Sequence, residues 1–286
     1  MLAVNHPNSF LDAIILCTLF DRPVYSLARG DAFKNNFFAS LLYKLKLLPV
    51  YRVSEGVENL EENYKTFELC KNIFKQNGIV LIFSEGRCIN EWHLRPLKKG
   101  TARLALSSWE DGIDLKVLPV GINYNSFKSF GKNVKLFFGD FITKGSIDYK
   151  NSHGNNIRQF NESLQRQLGN FVYEINPTDK ELLRKTFFVK QPAIKKMLLF
   201  LPAVIGLIIH APLYFFIKWL SNKLIREEGH YDSKITGFLF LFYPLFLLFL
   251  SSVIFFITGY WYIFLLLFVL PFCAWAYIQL KPQLDK

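Results

Sequence analysis

The first twelve residues, MLAVNHPNSFLD, hold side chains that could move a proton. His6 closes a short apolar stretch, and Asp12 lies just ahead of an apolar run. If the stretch is a strand and the run a helix, the carboxylate can fold back onto the imidazole. An aspartate holding one ring nitrogen leaves the other to act as a general base on a hydroxyl. The same residue types also build plain helix-capping clusters, with Asn8 or Ser9 as the cap. The pair alone therefore does not decide between catalysis and capping.

A second group follows the apolar run IVLIF at 79–83. There Ser84, Glu85, Gly86 and Arg87 present a carboxylate and a guanidinium where a strand would end, the edge at which α/β sheets bind ligands. Gly86 lets the backbone approach a ligand closely, and Arg87 suits bidentate phosphate contact. Arg52 and Lys98 or Lys99 could add positive charge. The plain alternative is a surface ion pair between Glu85 and Arg87, worth little. His93, in the same stretch, has no second ligand at metal-binding spacing, and His153, His210 and His230 read equally blandly, so no metal site is expected. The cysteines Cys17, Cys70, Cys88 and Cys273 lack a CxxC spacing and read as free thiols of a reducing compartment.

These groups need a scaffold, and the chain supplies an alternating one. Strands are expected at Leu2–Val4, 23–28, 47–52, 79–83, 115–122 and 134–140. Helices are expected from Ser9 to about Phe20, through Phe37, Phe38, Leu41 and Leu45, over 58–76, over 101–109 and over 156–173. Such alternation predicts an α/β domain with a mostly parallel sheet flanked by helices.

Past Met197 the composition changes. The segments 235–257 and 261–280 contain no charged residue, and each has about the 20 apolar residues that a bilayer crossing needs. The segment 197–217 is also long enough but carries Pro202, His210 and Pro212. If it crossed too, the loop with Lys218, Lys223, Arg226 and Lys234 would face away from the basic amino-terminal part, against the positive-inside bias. A kinked, re-entrant or interfacial segment followed by one transmembrane hairpin is therefore expected. The domain boundary is placed at 190/191, with the first domain on the cytoplasmic face.

The net charge of +11 is concentrated ahead of the apolar tail: 28 lysines and arginines stand against 19 acids up to Lys196, and six against four beyond it. That distribution suits an anionic membrane surface, with Lys185, Lys190, Lys195 and Lys196 leading into the apolar segment. Nucleic acid is disfavoured as a partner, because the lysines are scattered and no recognition motif accompanies them. The amino terminus has neither the basic start nor the cleavage site of a secretory signal.

NHPNSFLD resembles the His-Asp box of the glycerolipid acyltransferases, the PlsC-like superfamily of glycerol-3-phosphate and lysophosphatidate acyltransferases. That box is usually written NHxxxxD, and here five residues rather than four separate His6 from Asp12. FSEGRCINEWHLRPLKKGTARLA (83–105) resembles the substrate box FPEGTRS and its downstream Lys-Gly segment, with Ser84 in place of the proline and Arg87-Cys88 where Thr-Arg-Ser would stand. LPVYR (48–52) and VLPVGINY (117–124) resemble the family's arginine-ended and proline-bearing strands. The resemblance implies transfer of a fatty acyl group from acyl-CoA or acyl carrier protein to a hydroxyl of glycerol-3-phosphate or lysophosphatidate. His6 and Asp12 would be catalytic; Arg52, Glu85, Gly86, Arg87, Lys98 and Lys99 would bind the acceptor. It implies no cofactor or metal beyond the cosubstrate, and membrane lipids as partners. Family members carry tens of residues before the first box, so a longer amino terminus is expected. The altered second box leaves open another lysolipid acceptor, or an inactive relative acting as a membrane-anchored scaffold.

Overall fold

The computed structural model describes residues 1–51, 60–149, 152–224 and 230–284. It divides into two compact units, one of residues 1–123 and 134–176, the other of residues 124–133 and 177–286.

The first unit is built on β1 (Leu2–Val4), β2 (Val24–Arg29), β3 (Leu47–Val50), β4 (Ile79–Phe83), β5 (Leu118–Tyr124) and β6 (Val134–Phe138). Among the described residues these form a six-stranded sheet in the order β3-β2-β4-β1-β5-β6. β1 pairs in parallel with β4 and β5, and β2 with β3 and β4. β1 has only three residues, all buried, because it sits in the middle of the sheet with helices over both faces.

Helices α1 (Phe10–Cys17) and α2 (Asn36–Lys44) link strands stepping one way across the sheet, while α3 (Leu60–Lys75) and α4 (Lys99–Glu110) link strands stepping back. Right-handed crossovers therefore put α1 and α2 on one face and α3 and α4 on the other. The alternation of side chains along the strands agrees. Ala3, Leu27, Leu48, Val80 and Ile82 pack with Cys70 and Phe74 of α3, Leu106 and Trp109 of α4, and Phe160 and Leu164 of α5 (His153–Phe171) in the main core. The two faces are covered unequally. α4 buries seven residues and α5 five, whereas α1 buries only Asp12 and Leu16 and α2 none.

Several boundaries differ from the sequence expectation. α1 ends at Cys17 rather than near Phe20, and its N-cap residue Ser9 makes no side-chain capping bond. Val117, expected inside a strand, instead forms an antiparallel bridge to Ile142. Arg52 lies outside the described residues.

In the second unit, α6 (Lys180–Phe187) was not anticipated, since it spans barely two turns; the Asp179 side chain caps it by accepting the amide of Leu182 (2.9 Å). Beyond it come α7 (Ala193–Leu224), α8 (Tyr231–Thr258) and α9 (Leu266–Leu280). Among the described residues, three helical stretches, 193–224, 231–258 and 261–280, are long and apolar enough to cross a membrane. The segment 197–217, expected to be kinked, re-entrant or interfacial, lies within one continuous helix with Pro202 and Pro212 inside it.

The start of α8 and the end of α9 meet one short segment. Lys132 pairs with Asp232, and Lys281 Nζ donates to Ser129 Oγ (2.6 Å). From that base α7 runs inward beside α9: Lys195 Nζ donates to Gln279 Oε1 (2.7 Å), Leu199 and Ala203 cluster with Ala276, and Gly206 lies against Cys273, where a Cβ would come within 2.1 Å of the carbonyl oxygen. Its later partners are on α8. His210 meets the Tyr243 hydroxyl (3.2 Å), Phe216 the Phe242 ring, and Tyr214 the hydroxyl of Tyr231, the first residue of α8 (2.7 Å). Along a straight helix Lys195 and Tyr214 would be about 28 Å apart, yet both reach residues within a turn of the base. Prolines inside a helix are where such a path bends.

Lys132 and Asp232 are 5% and 3% exposed. Truncating one partner of a buried pair strands the other charge. Asp232→Ala is expected to lower stability by about 3–5 kcal/mol, read as detergent-solubilised thermal unfolding, and a Lys132→Met/Asp232→Leu pair to recover most of the loss.

Candidate active site

The sheet brings the two polar groups together by pairing β1 with β4. Val4 lies opposite Phe83, so His6 emerges beside the turn that begins at Ser84. The Ser84 amide donates to the Val4 carbonyl (2.8 Å) and extends that ladder by one bond. On the other side Asn5 fixes β1 to β5. Its Nδ2 donates to the Ile122 carbonyl (3.0 Å) and its Oδ1 accepts the Ile122 amide (2.8 Å). Sequence reasoning passed over Asn5. Its signal was a carboxamide placed where a backbone donor and acceptor both need partners.

His6 Nδ1 lies 2.9 Å from Asp12 Oδ2. Asp12 is wholly buried and the His6 side chain 17% exposed. The same carboxylate oxygen accepts the Asn8 amide (2.8 Å). The imidazole stacks on Phe83, with ring centroids 3.8 Å apart and planes 12° from parallel. Nδ1 is thus engaged with an anionic acceptor and the ring plane is held, while Nε2 makes no hydrogen bond among the described residues. This is the arrangement a general base requires.

The chain closes over five intervening residues through Ser9, whose backbone sits at φ 55° and ψ −139°, in a region that favours glycine. The expected serine cap is therefore absent, and the Asp12 carboxylate binds an amide at the helix start instead. Ser9→Gly is expected to raise stability by about 1 kcal/mol without loss of activity, measured by thermal unfolding, because it removes the backbone strain.

Glu85 is 5% exposed. Its Oε2 accepts the His6 amide (2.8 Å) and its Oε1 the Arg95 amide (3.0 Å). The expected acceptor-binding carboxylate is thus turned into the protein, where it ties the His6 turn to the following loop. Burial pushes its pKa above the usual carboxylate value, against the opposing pull of the Arg95 and His6 amides. A carboxylate that holds its proton more tightly when folded makes stability fall as pH rises through its folded pKa. Glu85→Gln should flatten that slope. It should also cost about 1–3 kcal/mol, because an amide nitrogen must then face a backbone N–H; thermal unfolding over a pH series measures both.

Cys88 supplies a further tie that the sequence did not announce. Its Sγ accepts the Ser9 amide at 2.8 Å, linking the second box to the first. Burial, followed by the charge of Asp12, pushes the thiol up to about 12, so at neutral pH it is protonated and a poor nucleophile. Asn90 Nδ2 makes a parallel tie to the Pro7 carbonyl (2.7 Å).

The cations are placed around the Glu85 turn. Gly86 has φ 66°, and a Cβ there would meet the Lys98 side chain at 3.0 Å. Lys98 itself donates its amide to the Ser84 carbonyl (2.7 Å). Arg87, Lys98 and Lys99 are exposed, and Lys99 opens α4, whose first-turn amides add to the positive field. His93 is a loop residue and pairs with Glu174 (2.5 Å).

Residues 1–123 match the protein-family model described as Acyltransferase. No curated protein matches the chain. Among solved structures, the chain is similar to the 1-acyl-sn-glycerophosphate (LPA) acyltransferase PlsC from Thermotoga maritima. The identity is 18% and the TM-score 0.38, over 61% of this chain and 67% of that one.

Proposed function

We propose that the protein transfers a fatty acyl group from a thioester, acyl-CoA or acyl carrier protein, to a hydroxyl of glycerol-3-phosphate or lysophosphatidate, a reading supported by the match of residues 1–123 to the Acyltransferase family model. The observation that carries this reading is the buried Asp12 on His6 Nδ1, inside the segment that matches the family. In the proposed reaction His6 Nε2 takes the proton of the acceptor hydroxyl as its oxygen attacks the thioester carbonyl. Asp12 stabilises the resulting imidazolium. Collapse of the tetrahedral intermediate breaks the C–S bond, and the proton passes from His6 to the leaving thiolate. No enzyme nucleophile is required, in keeping with a protonated Cys88.

Arg87, Lys98 and Lys99 would grip the acceptor phosphate, with Arg52 as a further candidate. Glu85 and Gly86 would shape the turn that carries them. Removing the Arg87 guanidinium by Arg87→Gln should raise KM for the phosphorylated acceptor about tenfold or more and change kcat little, since it weakens binding of substrate and transition state alike.

The membrane part is proposed to cross twice, through 235–257 and 261–280, with the catalytic domain on the cytoplasmic side. The lysines flanking residues 225–230 favour this arrangement, as does a first apolar helix whose partners begin and end at the base of the hairpin. A protease site inserted between Leu224 and His230 should then be cut from the same side of sealed vesicles as the catalytic domain.

The function is tested with radiolabelled acyl-CoA and membranes holding wild-type protein or His6→Ala. Incorporation into glycerol-3-phosphate or lysophosphatidate by the wild type alone supports the proposal and names the acceptor. Equal incorporation by both proteins overturns it.

A further inference from the structure

The sheet face under α1 and α2 is thinly covered, and the helices that cover it turn apolar side chains outward. In α1, Phe10 and Ile14 are 39% and 43% exposed and lie one helical turn apart. In α2, Phe37 (75%), Phe38 (55%), Leu41 (46%) and Leu45 (62%), the last just past the helix end, follow a helical stripe. α2 buries no residue fully and is held from inside only by the half-buried Ala39 and Leu42 and by the Tyr43 ring against buried Phe33, so nine residues gain little from the core and would be marginal on propensity alone. Asn35 does cap it, its side chain accepting the Phe37 amide (2.9 Å). A second surface is needed to explain why its bulkiest residues are aromatic and aliphatic.

The charges beside the stripe say what that surface is. Lys34, Lys44 and Lys46 flank α2 and are exposed, as is Arg22 ahead of β2. α2 contains no acid, Asp31 is paired with Arg29, and Asp12 is buried, which leaves Asp21 as the one exposed acid without a described ion pair between residues 10 and 50. An apolar stripe rimmed by lysines is the pattern of a helix lying in the plane of an anionic bilayer, its apolar side at the acyl boundary and its ammonium groups at the phosphates.

We propose that the α1–α2 face seats the catalytic unit directly on anionic lipid, as an attachment separate from the apolar helices α7–α9. The unit would bind by Phe37, Phe38, Leu41 and Leu45, with Phe10 and Ile14 beside them. Since α1 begins four residues after His6, the same contact would hold the imidazole at headgroup level, where a lipid acceptor presents its hydroxyl. The lipid contact does not depend on acyl transfer, so the two ideas can fail separately.

The test uses full-length protein in nanodiscs of phosphatidylethanolamine and phosphatidylglycerol, with the photo-crosslinking residue p-benzoylphenylalanine placed singly at Phe38 or Leu41. The same residue at Leu245 of α8 serves as a lipid-facing control and at Glu162 of α5 as an exposed control away from the stripe. On irradiation, intact mass spectrometry should show adducts of one phospholipid mass at positions 38, 41 and 245 and none at 162. The adducts at 38 and 41 should fall severalfold when phosphatidylglycerol is omitted or when Lys34, Lys44 and Lys46 are changed to Gln. His6→Ala should not alter them. Lipid adducts at 245 with none at 38 and 41 would overturn the proposal, as would crosslinks from 38 or 41 to a second copy of the chain.

Discussion

Replacing His6 by alanine is expected to slow acyl transfer by about 10²–10⁴-fold, the usual contribution of a positioned general base, while leaving the fold intact. The fold should survive because the structural ties around His6 are made by other groups. The His6 amide, not its ring, donates to Glu85, and Asn5 joins β1 to β5. The ring itself contributes a stack on Phe83 and one hydrogen bond, to Asp12. A circular dichroism melt would check the fold and a labelled-acyl assay the rate. KM for either substrate should change little, because the lost interaction belongs to the transition state.

Asp12→Asn should be about as damaging, by roughly 10²–10⁴-fold, because a carboxamide favours the wrong imidazole tautomer and cannot stabilise an imidazolium. The Asp12 oxygen facing His6 also accepts the Asn8 amide, so an asparagine in the same place must choose which contact its oxygen keeps. If the oxygen stays with the Asn8 amide, the turn survives and the loss appears almost wholly in kcat. Comparable kcat for Asp12→Asn and wild type would mean that the carboxylate serves only as an anchor for the helix start.

The parallel sheet was legible because its strands are short apolar runs separated by helical patterns. IVLIF and the buried LAV could hardly be anything but interior strands. The proximity of His6 to Asp12 followed from a strand-to-helix step, and the five residues between them turn through Ser9 at positive φ. That backbone choice leaves no mark in residue type, since serine is common at helix starts. The inward turn of Glu85 was hidden for another reason. A glutamate beside an arginine at a strand end reads as a ligand-binding carboxylate or a surface ion pair, and only the fold reveals two backbone amides waiting for its oxygens. Cys88 likewise looked like a lost hydroxyl, whereas it accepts an amide from the opposite box. The stripe on α2 read as a helix and nothing more, because periodicity shows that residues share a side and not what lies against it.

The central claim is that His6 and Asp12 act as one catalytic unit, and a double-mutant cycle on the acyl-transfer rate tests it most directly. The measurement compares single-turnover rates of wild type, His6→Ala, Asp12→Asn and the double variant in the same nanodiscs. Groups that act together are strongly non-additive, so the double variant should be no slower than His6→Ala. Losses that multiply, or a His6→Ala protein that keeps the wild-type rate, would contradict the account.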